Sequence, residues 1–303
     1  PGKSGAAGKL ASSKRLGVPT LYMSDGNCCV NLNRPTTGFP SSNLLAGTFN
    51  KSLAYKVGKV LADESKENGI SINLGPGGNL HRNILCGRHP EYYSEDPILT
   101  GTLMAYQARG LEENGVIATY KHLIANNMEF ERKSAHGIID ENTLRDLYLR
   151  VFDKAFSLYK PGCVMTSYNP VNGIYPCENA TLLNDLLRGE WGFDGLVVSD
   201  WGGNNDRVEA VRAGSSLEMP ASNGETDRHI VEAVRNGTLD EALLDEQVDH
   251  VLDFVFSAQK TLAHGGVSDG TAHHALAAKA AAESAVLLKN EKEFLPLRRF
   301  ESV

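Results

Sequence analysis

A carboxylate beside an aromatic residue, at the end of an apolar run, is the strongest chemical signal in the sequence. The segment Gly192–Trp201 reads GFDGLVVSDW and places Asp200 and Trp201 directly after Leu196–Ser199. Cleavage of a glycosidic bond passes through an oxocarbenium-like transition state, which requires a carboxylate close to the sugar. Trp201 could stack on a sugar face. Asp200 could equally cap a following helix, and the spacing alone does not separate these two interpretations.

Polar and ionisable residues recur at the ends of other short apolar runs. Asp25 follows one run, Lys121 and His122 close a second, and Tyr168 closes a third. In an α/β barrel these positions all lie at the C-terminal ends of the strands, where active sites are found. A single charged residue in such a place is usually a loop residue or a helix cap. Several such residues, each at the end of its own apolar run, indicate one shared site.

Arg88 lies in a dense polar loop that begins near Asn79 and ends at Pro97. Its planar set of donors could bind sugar hydroxyls, or it could form a surface salt bridge. The glycine-rich segment before it, Gly75–Gly78, lacks the Gly-Lys-Ser/Thr ending of a phosphate-binding loop. We therefore interpret Gly75–Gly78 as a turn after a strand.

Basic side chains near the second of these runs could supply further donors to a neutral sugar. Lys121, His122 and Arg132 fall within twelve positions of one another, and hydroxyl groups can accept hydrogen bonds from all three. No second histidine stands at metal-binding spacing from His122, so no metal is expected. Hydrolysis needs only carboxylates and water, so no organic cofactor is expected either. Tyr168 could instead be a core residue whose hydroxyl group is satisfied internally.

The elements that would position these residues alternate between short apolar runs and longer helical stretches. This alternation predicts βα units, a parallel sheet and an α/β fold of the (β/α)8 TIM-barrel type. Asp140 is a plausible N-cap of one helix, and Asp96 followed by Pro97 marks the start of another. The candidate strands are Pro19–Met23, Ile70–Leu74, Ala118–His122, Gly162–Tyr168, Leu196–Ser199 and Ser216–Met219.

Composition excludes several classes of function. The chain has 303 residues, of which 41% are hydrophobic, and a formal net charge of −7. The acidic balance argues against nucleic acid as a partner, and no apolar run is long enough to span a membrane. The odd number of cysteines, five, favours free thiols and a cytoplasmic location. Three Asn-x-Ser/Thr triplets leave secretion open.

The motifs taken together resemble glycoside hydrolase family 3, and its β-glucosidases most of all. The resemblance extends from about Leu16 to Leu297, in order and with family-like spacings. The motifs that carry it are Gly75-Pro76-Gly77, Gly87-Arg88, Ser94-Glu95-Asp96-Pro97, Lys121-His122, Ser167-Tyr168-Asn169, Val171-Asn172-Gly173 and Gly195 to Trp201.

This resemblance implies retaining hydrolysis at the non-reducing end of a β-glycoside, through a covalent glycosyl-enzyme on Asp200. Asp25 matches the residue that binds the outer hydroxyls of the terminal sugar, and Tyr168 matches a tyrosine beside the nucleophile. The other matches are hydroxyl-binding residues (Arg88, Lys121, His122 and Arg132) and lining residues (Met165 and Trp201).

Two departures from the family pattern concern the barrel. Asn31 stands where the family usually has a sugar-binding arginine. Either Arg34 substitutes for it, or the substrate lacks the usual pattern of outer hydroxyls. The usual opening helix, before Leu16, is also absent, so the barrel is expected to be irregular or to lack its first unit.

A third departure concerns the second carboxyl group of the mechanism. In similar family members a glutamate from a second α/β domain is the acid/base. We therefore expect residues 1–270 to form the barrel domain and residues 271–303 to form a helix and linker toward a second domain or chain. A retaining mechanism needs both groups, so the 303 residues alone are expected to be inactive or very slow.

Other activities are weighed against this interpretation. A β-N-acetylglucosaminidase of the same family would carry a second histidine after Lys121-His122, which this sequence lacks. A β-xylosidase or α-arabinosidase shares the barrel motifs and stays open. From a different class, a sugar-binding barrel without catalysis is favoured by the missing acid/base and by the altered loop over residues 27–32. The intact set of Asp200, Arg88, Lys121, His122 and Tyr168 argues against it.

Overall fold

The fold is organised around one curled sheet. The structure, a computed structural model, describes residues 6–10, 12–262 and 266–297. Within these residues the sheet has six strands, which lie in the order of the sequence. They are β1 (Gly8–Leu10), β2 (Leu21–Asp25), β3 (Ile72–Leu74), β4 (Ile117–Leu123), β5 (Cys163–Thr166) and β6 (Leu196–Ser199).

The sheet is mixed because its first strand runs against the others. β1 pairs antiparallel with β2, with Leu10 opposite Leu21, whereas each later pair of neighbours is parallel. The sheet curls into a half-barrel. The predicted α/β barrel is thus confirmed in its irregular form, and the antiparallel β1 is an element that the sequence pattern did not predict.

Five of the candidate strands are confirmed: Leu196–Ser199 has the bounds predicted, and the other four differ by one or two residues at one or both ends. All four residues of β5 and of β6 are buried, as is typical of parallel strands covered on both faces. The prediction of a sixth strand over Ser216–Met219 is wrong in extent, because only Leu217 forms a ladder pair, with Val198. The Met219 N–H donates instead to the Ser199 side chain, which interrupts the ladder.

Helices connect the parallel strands and cover the sheet. Asp96 and Asp140 cap two of them as predicted, by accepting hydrogen bonds from Leu99 and Thr143 N–H respectively. The α-helices are α1 (Ser42–Gly47), α2 (Lys51–Glu67), α3 (Pro97–Glu112), α4 (Glu141–Thr143), α5 (Arg150–Leu158), α6 (Arg207–Arg212), α7 (Glu225–Arg235), α8 (Glu241–Leu262) and α9 (Gly270–Ser284). Two π-helical stretches are Leu144–Leu149, which joins α4 to α5, and Thr181–Glu190. No described helix is long and apolar enough to cross a membrane.

The close packing of α2 on α3 depends on two glycines. A Cβ at Gly58 would overlap the Gln107 carbonyl group, and a Cβ at Gly110 would overlap the Tyr55 carbonyl group. Glycine at both positions therefore lets the two backbones touch. This contact fixes α3, whose Gln107 holds the Asn27 carbonyl group at the end of β2 with a 2.8 Å hydrogen bond.

The last helix, α9, packs on the barrel. It contacts α1 and α2, and its buried His273 bonds the buried Glu64 side chain of α2 at 2.9 Å. The boundary at residue 270 stays a prediction.

Candidate active site

A cavity of about 390 Å³ opens at the C-terminal ends of β2, β4, β5 and β6. This volume is typical of a small-ligand site. All nine site residues predicted from the sequence line it, as do three that the sequence did not single out. The lining residues are Ala7, Asp25, Arg88, Glu91, Lys121, His122, Glu129, Arg132, Met165, Tyr168, Asp200 and Trp201.

Asp200 leaves β6 with one oxygen fixed and one oxygen unpaired. Its Oδ1 accepts the Trp201 N–H at 2.7 Å. Its Oδ2 is buried and has no hydrogen-bond partner among the described residues. Burial raises the pKa of Asp200, while the Tyr168 hydroxyl and the charge of Arg88 oppose this increase. A buried carboxylate oxygen that no protein donor satisfies is costly, so this oxygen is available to a group that enters the cavity.

Arg88 organises the neighbours of Asp200. It donates two parallel hydrogen bonds of 2.8 Å to the Glu91 carboxylate and a third, of 3.0 Å, to Nε2 of His122. Its Nη1 lies 3.9 Å from Oδ2 of Asp200. A rigid guanidinium fork can make this set of contacts, whereas a lysine ammonium group cannot.

His122 is held as a neutral hydrogen-bond acceptor. Because a guanidinium group has no acceptor, the contact with Arg88 requires a lone pair on Nε2 of His122. The proton then resides on Nδ1, which lies 3.1 Å from both Asn79 Oδ1 and the Tyr92 hydroxyl. Burial, followed by the charge of Arg88, holds the pKa of His122 well below its ordinary value. Nε2 is 3.4 Å from Asp200 Oδ2 but has no proton to donate to it, which explains the unpaired oxygen.

Lys121, on β4, lies between the carboxylates of Asp25, at the end of β2, and Glu91. Its buried Nζ is 3.7 Å from Asp25 Oδ1 and 3.7 Å from Glu91 Oε2. Burial raises the pKa of Glu91, but the hydrogen bonds from Arg88 and the charge of Lys121 outweigh burial and leave it below its usual value. Glu91 is therefore an ionised acceptor, and Asp25 remains half exposed at the mouth.

Arg132 and Tyr168 form the opposite wall. The Arg132 guanidinium lies 4.2 Å from the centre of the Tyr168 ring and donates a 2.7 Å hydrogen bond to Glu129. Burial and the charge of Asp200 raise the pKa of the Tyr168 hydroxyl, so it stays protonated and able to donate. Met165 lies within β5 and Trp201 follows β6, and both face the cavity.

Three functional residues were not predicted from the sequence, although two lie close to residues that were. Glu91 is three positions after Arg88, and Glu129 is three before Arg132, a spacing that suits ion pairs within one turn. Asn79 clamps the His122 backbone from 43 positions away, accepting its N–H and donating to its carbonyl, each at 2.9 Å. No local pattern could have revealed the role of Asn79.

Neither Asn31, which stands where the family arginine is expected, nor Arg34, its possible substitute, lines this cavity. Arg34 is exposed and does not line it. Asn31 lines a neighbouring cavity, together with Asp25 and Lys121.

The neutral state of His122 leads to a pH-dependent stability. In the unfolded chain, a histidine with an ordinary pKa of about 6.5 takes up a proton at a pH where native His122 does not. The unfolded chain therefore binds more protons as pH falls below about 6.5, and the folded state loses stability with a slope of up to about 1.4 kcal/mol per pH unit. In urea unfolding between pH 7 and pH 5, we expect His122→Gln to flatten this slope.

His229→Gln is the matched control, because His229 is exposed on α7. It should leave the slope unchanged. Equal slopes in the wild type and in His122→Gln would show that His122 is not held neutral.

The fold and the site together define a class. An α/β barrel whose strand ends place a buried carboxylate among arginine, lysine and tyrosine donors and a neutral histidine suits a glycoside hydrolase. Residues 5–254 match the family model described as the glycosyl hydrolase family 3 N-terminal domain. The chain belongs to glycosyl hydrolase family 3.

Relatives of known name agree with this assignment. The chain is 44% identical over 298 residues to thermostable β-glucosidase B of Acetivibrio thermocellus, covering 94% of this chain and 40% of that protein. It is 37% identical over 302 residues to a probable β-glucosidase I of Aspergillus flavus, covering 97% and 36%.

Solved structures give the same result. β-Glucosidase 3B of Thermotoga neapolitana in complex with glucose superposes with a TM-score of 0.93 at 38% identity, covering 97% of this chain and 44% of that one. A β-glucosidase of Bifidobacterium adolescentis gives 0.92 at 37% identity, with the same coverage. The chain thus spans well under half the length of these relatives.

Proposed function

We propose that the chain is the barrel part of a retaining, exo-acting β-glucosidase-like enzyme, with Asp200 as its nucleophile. The observation that carries the proposal is the buried, unpaired Oδ2 of Asp200 in a cavity lined with hydroxyl-binding donors. The named relatives, which are β-glucosidases, support glucose as the sugar.

The first half of the reaction uses Asp200 directly. Its Oδ2 attacks the anomeric carbon of the terminal sugar, the bond from that carbon to the leaving oxygen breaks, and the leaving oxygen takes up a proton. Water then displaces the aspartyl ester, so two inversions give net retention. The carboxylate also stabilises the oxocarbenium-like transition states on either side of the intermediate.

The remaining residues would hold the sugar. Lys121, Arg132 and the protonated Tyr168 hydroxyl offer donors, and the half-exposed Asp25 offers an acceptor. His122 offers a neutral ring whose position is fixed by Arg88 on one side and Asn79 on the other. Sugar hydroxyls both donate and accept hydrogen bonds, so a wall with both kinds of group suits them.

The proton for the leaving group is proposed to come from a glutamate outside the described residues. Besides Asp200, three carboxylates line the cavity, and each has a cationic neighbour. Glu91 pairs with Arg88, Glu129 with Arg132, and Asp25 lies near Lys121. A general acid needs a proton that is free to transfer, so none of the three suits this role.

A second domain of the same protein, or another chain, is proposed to supply that glutamate. The relatives are more than twice as long as this chain. The loops beside the cavity also expose apolar side chains, with Ile84 at 90%, Leu85 at 86% and Phe130 at 74% exposure. Exposed apolar residues concentrated near a site are typical of a surface that another folded unit covers.

This division of roles gives a test with two substrates. A dinitrophenolate leaving group needs no proton, so the 303-residue chain should be glycosylated by 2,4-dinitrophenyl β-glucoside. Methyl β-glucoside needs general acid catalysis, which is worth about 10²–10⁴-fold, and should react slower by at least that factor. In a longer protein that includes the proposed second domain, the difference between the rates for the two substrates should be smaller.

Dinitrophenolate release and methanol release would be measured on the same preparation. Hydrolysis of methyl β-glucoside by the 303 residues at a rate close to that of the longer protein would place the acid within this chain. Asp25→Asn, Glu91→Gln and Glu129→Gln would then show which of the three cavity carboxylates is that acid. Binding of glucose without any glycosylation would instead favour a non-catalytic sugar-binding barrel.

A further inference from the structure

A second cavity, of about 370 Å³, shares part of its lining with the first, and Asp200 does not line it. We call it the outer pocket. Four residues line both cavities, and we call them the shared wall: Asp25, Arg88, Glu91 and Lys121. The outer pocket adds six residues from the loop after β2 and from the Arg88 loop: Gly26, Asn27, Cys28, Cys29, Asn31 and Pro90.

The outer pocket is built by a loop that the rest of the fold holds in place. Asn27 accepts the Gly77 N–H at 3.0 Å and donates to Glu91 at 3.3 Å. The Asn31 N–H donates to the Asp25 carbonyl at 2.9 Å, and the Asn31 carbonyl accepts from Ser24 at 2.9 Å. A pocket whose loop is fixed at both ends is preformed, so a ligand does not have to order it.

The position of the outer pocket relative to Asp200 identifies the part of the sugar that would face it. The anomeric carbon must lie at Asp200 in the proposed reaction. Asp200, Tyr168, Met165, Trp201 and Arg132 line only the first cavity. The far edge of the sugar ring, which carries the hydroxyls on C4 and C6, therefore points toward the shared wall and the outer pocket beyond it.

The charges of the shared wall determine the kind of group that the outer pocket would accept. Asp25 and Glu91 are balanced by Arg88 and Lys121, each of which is already in contact with a carboxylate. No cation among the residues that line the pocket is left over for a phosphate or another anion. Burial raises the pKa of Cys28 to about 11, so that thiol is neutral as well. The pocket suits a neutral group.

We propose that the outer pocket receives a neutral substituent, such as an alkyl or acyl group, on the C4 or C6 hydroxyl of the terminal sugar. The substrate class is then a β-glucoside substituted at its outer edge, in addition to the unsubstituted one. This inference rests on the proposed function, because the orientation of the sugar follows from Asp200 as nucleophile. Asn31, a short side chain at an exposed position, leaves the pocket open.

Equilibrium binding tests the pocket without requiring turnover. The ligands are methyl β-glucoside and its 4-O-methyl and 6-O-methyl ethers, titrated into the 303-residue chain by NMR. At least one ether should bind with a Kd within about threefold of the parent glucoside, since no atoms need to move to admit it. Asn31→Arg should weaken that ether about tenfold or more, the usual effect of overfilling a packed site, and the parent by less than about threefold.

Two further variants separate the filling of the outer pocket from a change in its charge. Asn31→Trp fills the same space without adding charge and should act like Asn31→Arg. Asn33→Arg adds the same charge at an exposed position that does not line the outer pocket and should change neither Kd. The inference is overturned if both ethers bind the wild type more than about tenfold more weakly than the parent, or if filling at Asn31 weakens parent and ether equally.

The outcome is separable from that of the proposed function. If Asp200 is glycosylated but neither ether binds, Asp200 is still the nucleophile and the outer pocket does not accept a substituent. If an ether binds in a way that depends on Asn31 but Asp200 is not glycosylated, the outer pocket accepts a substituent and Asp200 is not the nucleophile.

Discussion

An Asp200→Asn variant is expected to release dinitrophenolate from 2,4-dinitrophenyl β-glucoside at least about 10⁴-fold more slowly than the wild type. Asparagine has the same shape and can keep the 2.7 Å hydrogen bond with the Trp201 N–H. It offers neither a nucleophilic oxygen nor a negative charge to the oxocarbenium-like transition state. The effect is therefore chemical, and the fold should survive, which circular dichroism and a thermal melt would check.

The matched control is Asp194→Asn. Asp194 precedes the same strand, β6, at its opposite end, and its side chain is exposed. This variant should release dinitrophenolate at the wild-type rate. A wild-type rate in Asp200→Asn would mean that another group attacks the sugar.

Arg88→Lys is expected to cost about 10²–10³-fold in kcat/KM for the same substrate, with little change in fold. Lysine keeps the positive charge, but it cannot bond both Glu91 oxygens in parallel and also donate to Nε2 of His122. His122 would lose the contact that fixes its tautomer. The Glu91 carboxylate would lose its pairing with Arg88 and would compete with Asp25 for Lys121. Displacement of these groups by as little as about 1 Å is enough to reduce the rate strongly.

Arg82→Lys serves as its control. Arg82 lies in the same loop and is exposed, and its side chain makes a long 3.4 Å contact with the Tyr148 hydroxyl. Its kcat/KM should match the wild type. If the kcat/KM of Arg88→Lys also matches the wild type, then the positive charge of Arg88 is sufficient and its bidentate hydrogen bonding is not needed for activity.

Much of this site could be predicted because its residues sit at strand ends. The apolar run before Asp200 predicts a buried strand, and parallel strands bring their C-terminal ends to one edge of a sheet. Asp25, Lys121, His122 and Tyr168 follow from the same rule. Spacing alone left Asp200 undecided between nucleophile and helix cap. The order of the family motifs favoured the nucleophile, and the unpaired Oδ2 provides physical support.

The parts that escaped prediction depend on contacts between distant segments. Asn79 and His122 meet only in the folded sheet, so the neutral histidine could not be derived from either segment. β1 is three residues long, too short for a periodic pattern. Ser216–Met219 had the apolar pattern of a strand, but the Ser199 side chain takes the hydrogen bond that a ladder would need. Local patterns predict elements and their ends, whereas tertiary contacts decide which hydrogen bonds form.

The central claim is that Asp200 forms a covalent bond with the sugar, and peptide mapping tests it most directly. The chain would be incubated with 2,4-dinitrophenyl 2-deoxy-2-fluoro-β-glucoside, whose fluorine slows breakdown of the ester, then digested and sequenced by mass spectrometry. We expect one glycosyl group per chain, on Asp200 in the peptide that contains Leu196–Trp201. A glycosyl group on Asp25, Glu91 or Glu129, or an unlabelled chain that still releases dinitrophenolate, would contradict the claim.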